Sequence, residues 1–142
     1  MFGPLQYRVA EMEADNPLTT RVLIAEDNTD MCELIEVMLG DLETHCAWTV
    51  ADAWRMFNSA NFSIAVLDYH LPDGKAFSLC ELIRSHGSRV PIIIITSDPD
   101  ILSDDVHRAG AQLLLQKSSP TFFDDLVSEV HQLSAGGLAR GV

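Results

Sequence analysis

The sequence is poor in positive charge. Its 142 residues carry 9 Lys and Arg against 21 Asp and Glu, a formal net charge of −12. Phosphate backbones select basic faces, so this balance argues against direct nucleic-acid binding. It also disfavours anionic membranes. It leaves room for a metal cation, which clustered carboxylates attract. Cysteine is scarce as well. Cys32, Cys46 and Cys80 are odd in number and widely spaced, with no CxxC pair and no Cys/His ligand spacing. They are expected to be reduced thiols packed in or near a core. The histidines (His45, His70, His86, His107, His131) form no HExxH motif and no zinc spacing. No apolar run approaches membrane-spanning length. Residues 1–20 lack a basic segment followed by an apolar one, so no secretory signal is expected, and a cytoplasmic location is. Internal repeats and low-complexity linkers are absent.

What is present is a regular alternation. Residues 1–20 are acidic and broken by Pro4 and Pro17, and read as an extension with one short helix over 6–13. From Arg21 the pattern changes. "RVLIAED" is an apolar run ending in acids, a buried strand. Met31, Leu34, Ile35, Met38 and Leu39 then recur at helical spacing, with Asn28 as the expected N-cap and Gly40 near the end. "THCAWTV" is a weaker strand, and Ala53, Met56 and Phe57 mark a short amphipathic helix. "IAVLD" is a strand that breaks at a Pro-Asp-Gly turn, after which Ala76, Leu79, Cys80 and Ile83 keep helical spacing. The β-branched run in "IIIITS" is the strongest strand signal in the chain. Asp98-Pro99 suits the opening of a helix over about 100–109. "QLLLQK" is a fifth strand, and the last helix carries Phe123, Leu126, Val127 and Val130, with Gly136-Gly137 as its stop.

Five strand–helix alternations with continuously apolar strands predict a parallel sheet covered by helices on both faces. The expected organisation is an extension at 1–20, one compact domain over 21–134 and a tail at 135–142. In such sheets ligands bind beyond the carboxyl ends of the strands. The polar residues found there are Glu26, Asp27, Asp68, Thr96 and Lys117. Taken singly, each reads as a cap, a turn former or a solvated end; Asp73 and Asp98 are assigned that way. Taken together, three carboxylates, a hydroxyl and an ammonium form one constellation. The acids repel one another unless a cation relieves them. Mg²⁺ prefers oxygen ligands and neutralises phosphoryl oxygens. A neighbouring carboxylate can attack phosphorus and carry an aspartyl-phosphate.

These pieces, "VLIAED", "AVLDYHLPDG", "PIIIITS", Ala109–Ala111 and Lys117, resemble the receiver domain of two-component response regulators over roughly 21–134. The resemblance implies an α/β, doubly wound, flavodoxin-like five-stranded parallel sheet in the order 2-1-3-4-5. It implies that Asp68 accepts phosphate from a sensor histidine kinase or phosphotransfer protein. Mg²⁺ (or Mn²⁺) would be held by Asp27, Asp68 and the backbone carbonyl of His70, with Glu26 acting mostly through water. Thr96 and Lys117 would contact the phosphoryl group and shift a face that binds a downstream target protein, with homodimerisation left open. Such a domain is a phosphoacceptor rather than a turnover enzyme. Two features depart from the family pattern: Leu114 stands where an aromatic residue is usual, and Ser118 follows the lysine in place of proline. Two other readings stand beside this one: a pseudo-receiver that binds partners without phosphorylation, and a small Mg²⁺ phosphohydrolase.

Overall fold

The computed structural model describes residues 19–140. The helix expected over 6–13 lies outside them. Five strands form one sheet: β1 (Arg21–Ala25), β2 (Glu43–Ala47), β3 (Ile64–Asp68), β4 (Ile92–Thr96) and β5 (Leu113–Gln116). Every pairing is parallel, and the spatial order is β2-β1-β3-β4-β5. The helices are α1 (Thr29–Met38), α2 (Val50–Ser59), α3 (Ala76–Ser85), α4 (Ser103–Arg108) and α5 (Phe122–Arg140). A two-residue ladder, His70–Leu71 against Gly74–Lys75, folds the chain back after β3.

Alternate side chains of each strand serve opposite faces of the sheet. Val22, Ile24, Ile64, Val66, Ile93 and Ile95 meet α1 and α5. Leu23, Ala25, Leu67, Ile92 and Ile94 meet α2, α3 and α4. Every residue of β1, β3 and β4 is therefore buried, which explains why those strands are apolar apart from Arg21, Asp68 and Thr96 at their ends. Each fully buried Leu or Ile in these layers contributes about 1.5–3 kcal/mol relative to exposure.

Several local expectations meet the structure as stated. Asn28 Oδ1 accepts the N–H of Met31 at 3.0 Å and caps α1. Ala76, Leu79, Cys80 and Ile83 are the buried face of α3. Others are corrected. The buried stripe of α1 is Cys32, Ile35 and Leu39, while Leu34 and Met38 face outward at 43% and 40% exposure. Five apolar residues cover more arc than the sheet contact needs, and Cys32 joins the buried layer instead. The second strand ends at Ala47, because Thr49 already caps α2 by accepting the Asp52 N–H at 3.0 Å. Asp98 does not open α4. Its Oδ1 accepts the N–H of Asp100 at 2.9 Å, closing a local turn, and the helix begins at Ser103. The last helix runs through Gly136-Gly137 to Arg140 rather than stopping there; glycine costs a helix only about 1 kcal/mol per residue. Among the described residues, no helix is long and apolar enough to cross a membrane.

The cysteine expectation is also overturned. Cys32 and Cys46 are joined as a disulfide between α1 and β2, with Cα atoms 6.6 Å apart. Cys80 alone is a free, buried thiol. Spacing in sequence held no sign of the pair, because the parallel pairing of β1 with β2 is what lays the two residues together.

Candidate functional site at the carboxyl edge of the sheet

The chain leaves β1 toward β2 on one side and later returns to β3 on the other. A crevice opens where the connections diverge, beyond the carboxyl ends of β1 and β3. Glu26 and Asp27 follow β1 directly, and Asp68 is the last residue of β3. Register aligns Asp68 with Ile95, one residue before Thr96, and Thr96 with Gln116, one residue before Lys117. The carboxyl ends of four strands are thus level, and the five predicted side chains stand along one edge. Carboxylate oxygens of Glu26, Asp27 and Asp68 all lie within 4.8 Å of one another.

Glu26 is 1% exposed and Asp68 7%, whereas Asp27 is open to solvent. Lys117 joins the two buried acids. Its Nζ donates to Glu26 Oε1 at 2.6 Å and to Asp68 Oδ2 at 3.1 Å. The second Glu26 oxygen accepts the Asn28 N–H at 3.1 Å. Burial, with the Asp68 charge adding to it, raises the Glu26 carboxyl above its usual range despite the bonds from Lys117 and Asn28. Burial would lower the Lys117 ammonium, but the bond to Glu26 and the charges of both acids outweigh it and raise that group. Thr96 is fully buried, and its hydroxyl accepts the Asp98 N–H at 3.0 Å.

At the lip of the crevice the side chain of His70 spans two partners. Lys75 Nζ donates to His70 Nδ1 at 2.8 Å, which leaves Nε2–H to donate to Asp98 Oδ2 at 2.9 Å. An ammonium can only donate, so this chain of bonds assigns the ring tautomer. The hydrogen bond from His70 holds the Asp98 carboxyl below its ordinary range. Tyr69, next to the crevice, packs edge-on against both His70 and Phe77 at 4.7 and 4.9 Å. Lys75 and Tyr69 carry no spacing signal; the short ladder at 70–75 is what recruits them. Leu114 packs into the α2–α3–α4 layer, on the same side as Tyr69 and Phe77.

The donors in the crevice are all oxygens, and two are acids nearly removed from water. That set fits Mg²⁺ rather than a soft metal.

Fold and crevice together define a doubly wound α/β signalling module with an acidic site at its topological switch point. The profile of the response regulator receiver domain matches residues 22–131, and the chain belongs to that family. Over 79 residues it is 32% identical to the response regulator protein PilR of Pseudomonas aeruginosa, a match covering 54% of this chain and 18% of that protein. Over 83 residues it is 34% identical to the transcriptional regulatory protein GltR of the same species, covering 56% of this chain and 34% of that one. The chain thus spans less than half the length of these curated relatives. Among solved structures, a CheY-like receiver domain protein from Methanospirillum hungatei superposes with a TM-score of 0.77 at 21% identity, covering 86% of this chain and 98% of that one. The response regulator TrrA from Thermotoga maritima, solved in complex with Mg²⁺ and BeF, gives a TM-score of 0.72 at 26% identity, covering 81% and 99%. The expected strand order and family are therefore met. The protein is a receiver domain homologous to two-component response regulators, a signalling module.

Proposed function

We propose that Asp68 is the phosphoacceptor of this domain, and that Glu26, Asp27, Asp68 and the backbone carbonyl of His70 hold Mg²⁺ (or Mn²⁺) when it binds. The observation that carries the reading is Lys117 bridging Glu26 and Asp68 at 2.6 and 3.1 Å in a group of three acids. Bound Mg²⁺ would offset negative charge on the acids and on phosphoryl oxygens.

The chain's own groups then have separate tasks. An Asp68 oxygen attacks phosphorus, and the bond to the donor imidazole breaks. The Lys117 ammonium, already beside Asp68, meets charge on a phosphoryl oxygen. The Thr96 hydroxyl, held at the end of β4, turns from the Asp98 N–H to another phosphoryl oxygen. His70 and Asp98, linked to each other, flank the approach of water and so bear on how long the acyl phosphate lasts. The donor is a sensor histidine kinase or phosphotransfer protein, the output a downstream target protein, and the setting the cytoplasm.

A phosphohydrolase reading needs an acid two positions after the nucleophile to protonate a leaving group. That position is His70, whose Nε2–H is committed to Asp98. A pseudo-receiver reading is opposed by the intact acid set and its lysine. The deciding experiment is intact-mass analysis after incubation with acetyl phosphate or phosphoramidate and Mg²⁺, paired with beryllofluoride binding. Wild type should gain one phosphoryl group and Asp68→Ala none. No beryllofluoride binding by wild type, or equal phosphoryl uptake by the variant, would remove Asp68 from the role.

A further inference from the structure

Phosphoryl chemistry makes no use of Cys32 and Cys46, yet their disulfide touches the acidic site. The pair is separated by 14 positions. Cys32 lies in the first turn of α1 and is 3% exposed. Cys46 lies in β2, the edge strand, and is half-buried.

The two half-cystines bracket a single residue, Glu26. Cys32 Sγ stands 3.3 Å from the Glu26 carbonyl oxygen. The Glu26 N–H donates at 2.9 Å to the carbonyl of Ala47, the residue after Cys46. Glu26 in turn supplies the buried carboxylate that accepts Lys117. We propose that Cys32–Cys46 is a reversible thiol–disulfide modification site that tunes the acidic site through the Glu26 backbone, with a low-molecular-weight disulfide of the glutathione type as co-reactant. The sulfur chemistry stands alone; its effect on Mg²⁺ rests on the phosphoacceptor reading.

The exchange balances in two steps. The thiolate of Cys46, the less buried of the two, attacks one sulfur of the small disulfide, whose S–S bond breaks and releases one thiolate. The Cys32 thiolate then attacks Cys46 Sγ and releases the second. The protein dithiol loses two electrons, the small disulfide gains them, and the two protons end on the released thiols. In the dithiol state two unbonded sulfurs must separate to van der Waals distance. The first turn of α1 and the end of β2 move apart with them, carrying Asn28 and Ala47, the two backbone partners of Glu26. The Cys32 S–H then donates to the Glu26 carbonyl, a bond the disulfide has no proton to make.

The full chain is equilibrated in glutathione buffers of increasing oxidised fraction, quenched with N-ethylmaleimide under denaturing conditions and weighed. The expected count falls from three thiols to one across the series, and Cys46→Ser shows no such internal bridge. Cys80 serves as the constant thiol, since burial pushes it up to about 12 and keeps it out of exchange. The ¹H–¹⁵N spectra of the two forms should differ at the Glu26, Asp27 and Asn28 amides, and their Mg²⁺ Kd by about tenfold, the scale on which outer partners tune metal ligands. A thiol count that stays constant across the buffers overturns the proposal. So do two redox forms with identical Glu26 amide shifts and identical Mg²⁺ Kd. Redox-dependent amide shifts in a protein that takes no phosphoryl group would sink the phosphoacceptor reading and leave this one standing.

Discussion

Lys117 Nζ lies closer to Glu26, at 2.6 Å, than to Asp68, at 3.1 Å. Its resting partner is therefore the more deeply buried acid, and Asp68 keeps the looser bond. Lys117→Met removes the ammonium bonded to two acids that burial has stripped of water. Loss of one partner from a buried pair costs about 3 kcal/mol, and that is the expected fall in urea stability without metal. Mg²⁺ should restore more stability to the variant than it adds to wild type. Equal responses to Mg²⁺ in urea melts would contradict this.

Asp73 acts at a distance. Its two carboxylate oxygens accept the N–H groups of Val50 at 2.7 Å and Ala51 at 3.1 Å, the first turn of α2. The Pro-Asp-Gly turn after β3 thus tethers the start of α2, alongside the local cap from Thr49. Those bonds hold the Asp73 carboxyl below its ordinary 3.8. Its stabilisation is present above that pH and is lost as pH falls through the lower folded value. Asp73→Ala should lower the thermal midpoint at neutral pH. The gap to wild type should shrink as acid titrates Asp73, and differential scanning fluorimetry across pH would show it.

His131 offers the opposite sign. Its Nε2 meets Asp41 Oδ2 at 2.8 Å and its Nδ1 meets the Val127 carbonyl at 2.8 Å. Both neighbours are acceptors, so the two contacts favour the doubly protonated ring. The hydrogen bond to Asp41 and then that to Val127 raise the imidazole above 6.5. This contribution is complete below 6.5 and is lost as pH rises through the folded value. An NMR titration should place His131 above an ordinary histidine, and Asp41→Asn should bring it down. Coincident curves would exclude the Asp41 contact as the cause.

Two glycines separate backbone strain from side-chain crowding. Gly87 and Gly110 have φ of +87° and +102°. A Cβ on Gly87 would meet nothing within 4 Å, while one on Gly110 would stand 3.1 Å from Arg84 Cγ. Arg84 also donates to the Gly110 carbonyl at 3.0 and 2.7 Å. Gly87→Ala should cost about 1 kcal/mol from backbone conformation alone. Gly110→Ala should cost about 1 kcal/mol more as Arg84 is displaced from its acceptor. Chemical denaturation of both variants tests the ordering, and a larger loss at Gly87 would reverse it.

The sequence by itself determined the alternation of elements, the parallel sheet and the edge on which the polar residues stand. It could do so because those signals are local. Continuous apolar runs such as Ile92–Ile95 declare burial on both faces, and an acid immediately after such a run must emerge at the carboxyl end. What only the tertiary structure decided are the partnerships. Lys117 and Glu26 are 91 positions apart, His70 and Asp98 28, Asp73 and Val50 23. Cys32 and Cys46 looked like separate packed thiols. Spacing along a chain fixes which face a residue takes within its own strand or helix, but not which residue of another element it meets. That depends on sheet order, register and the seating of helices, which bring distant residues together only when the whole core closes.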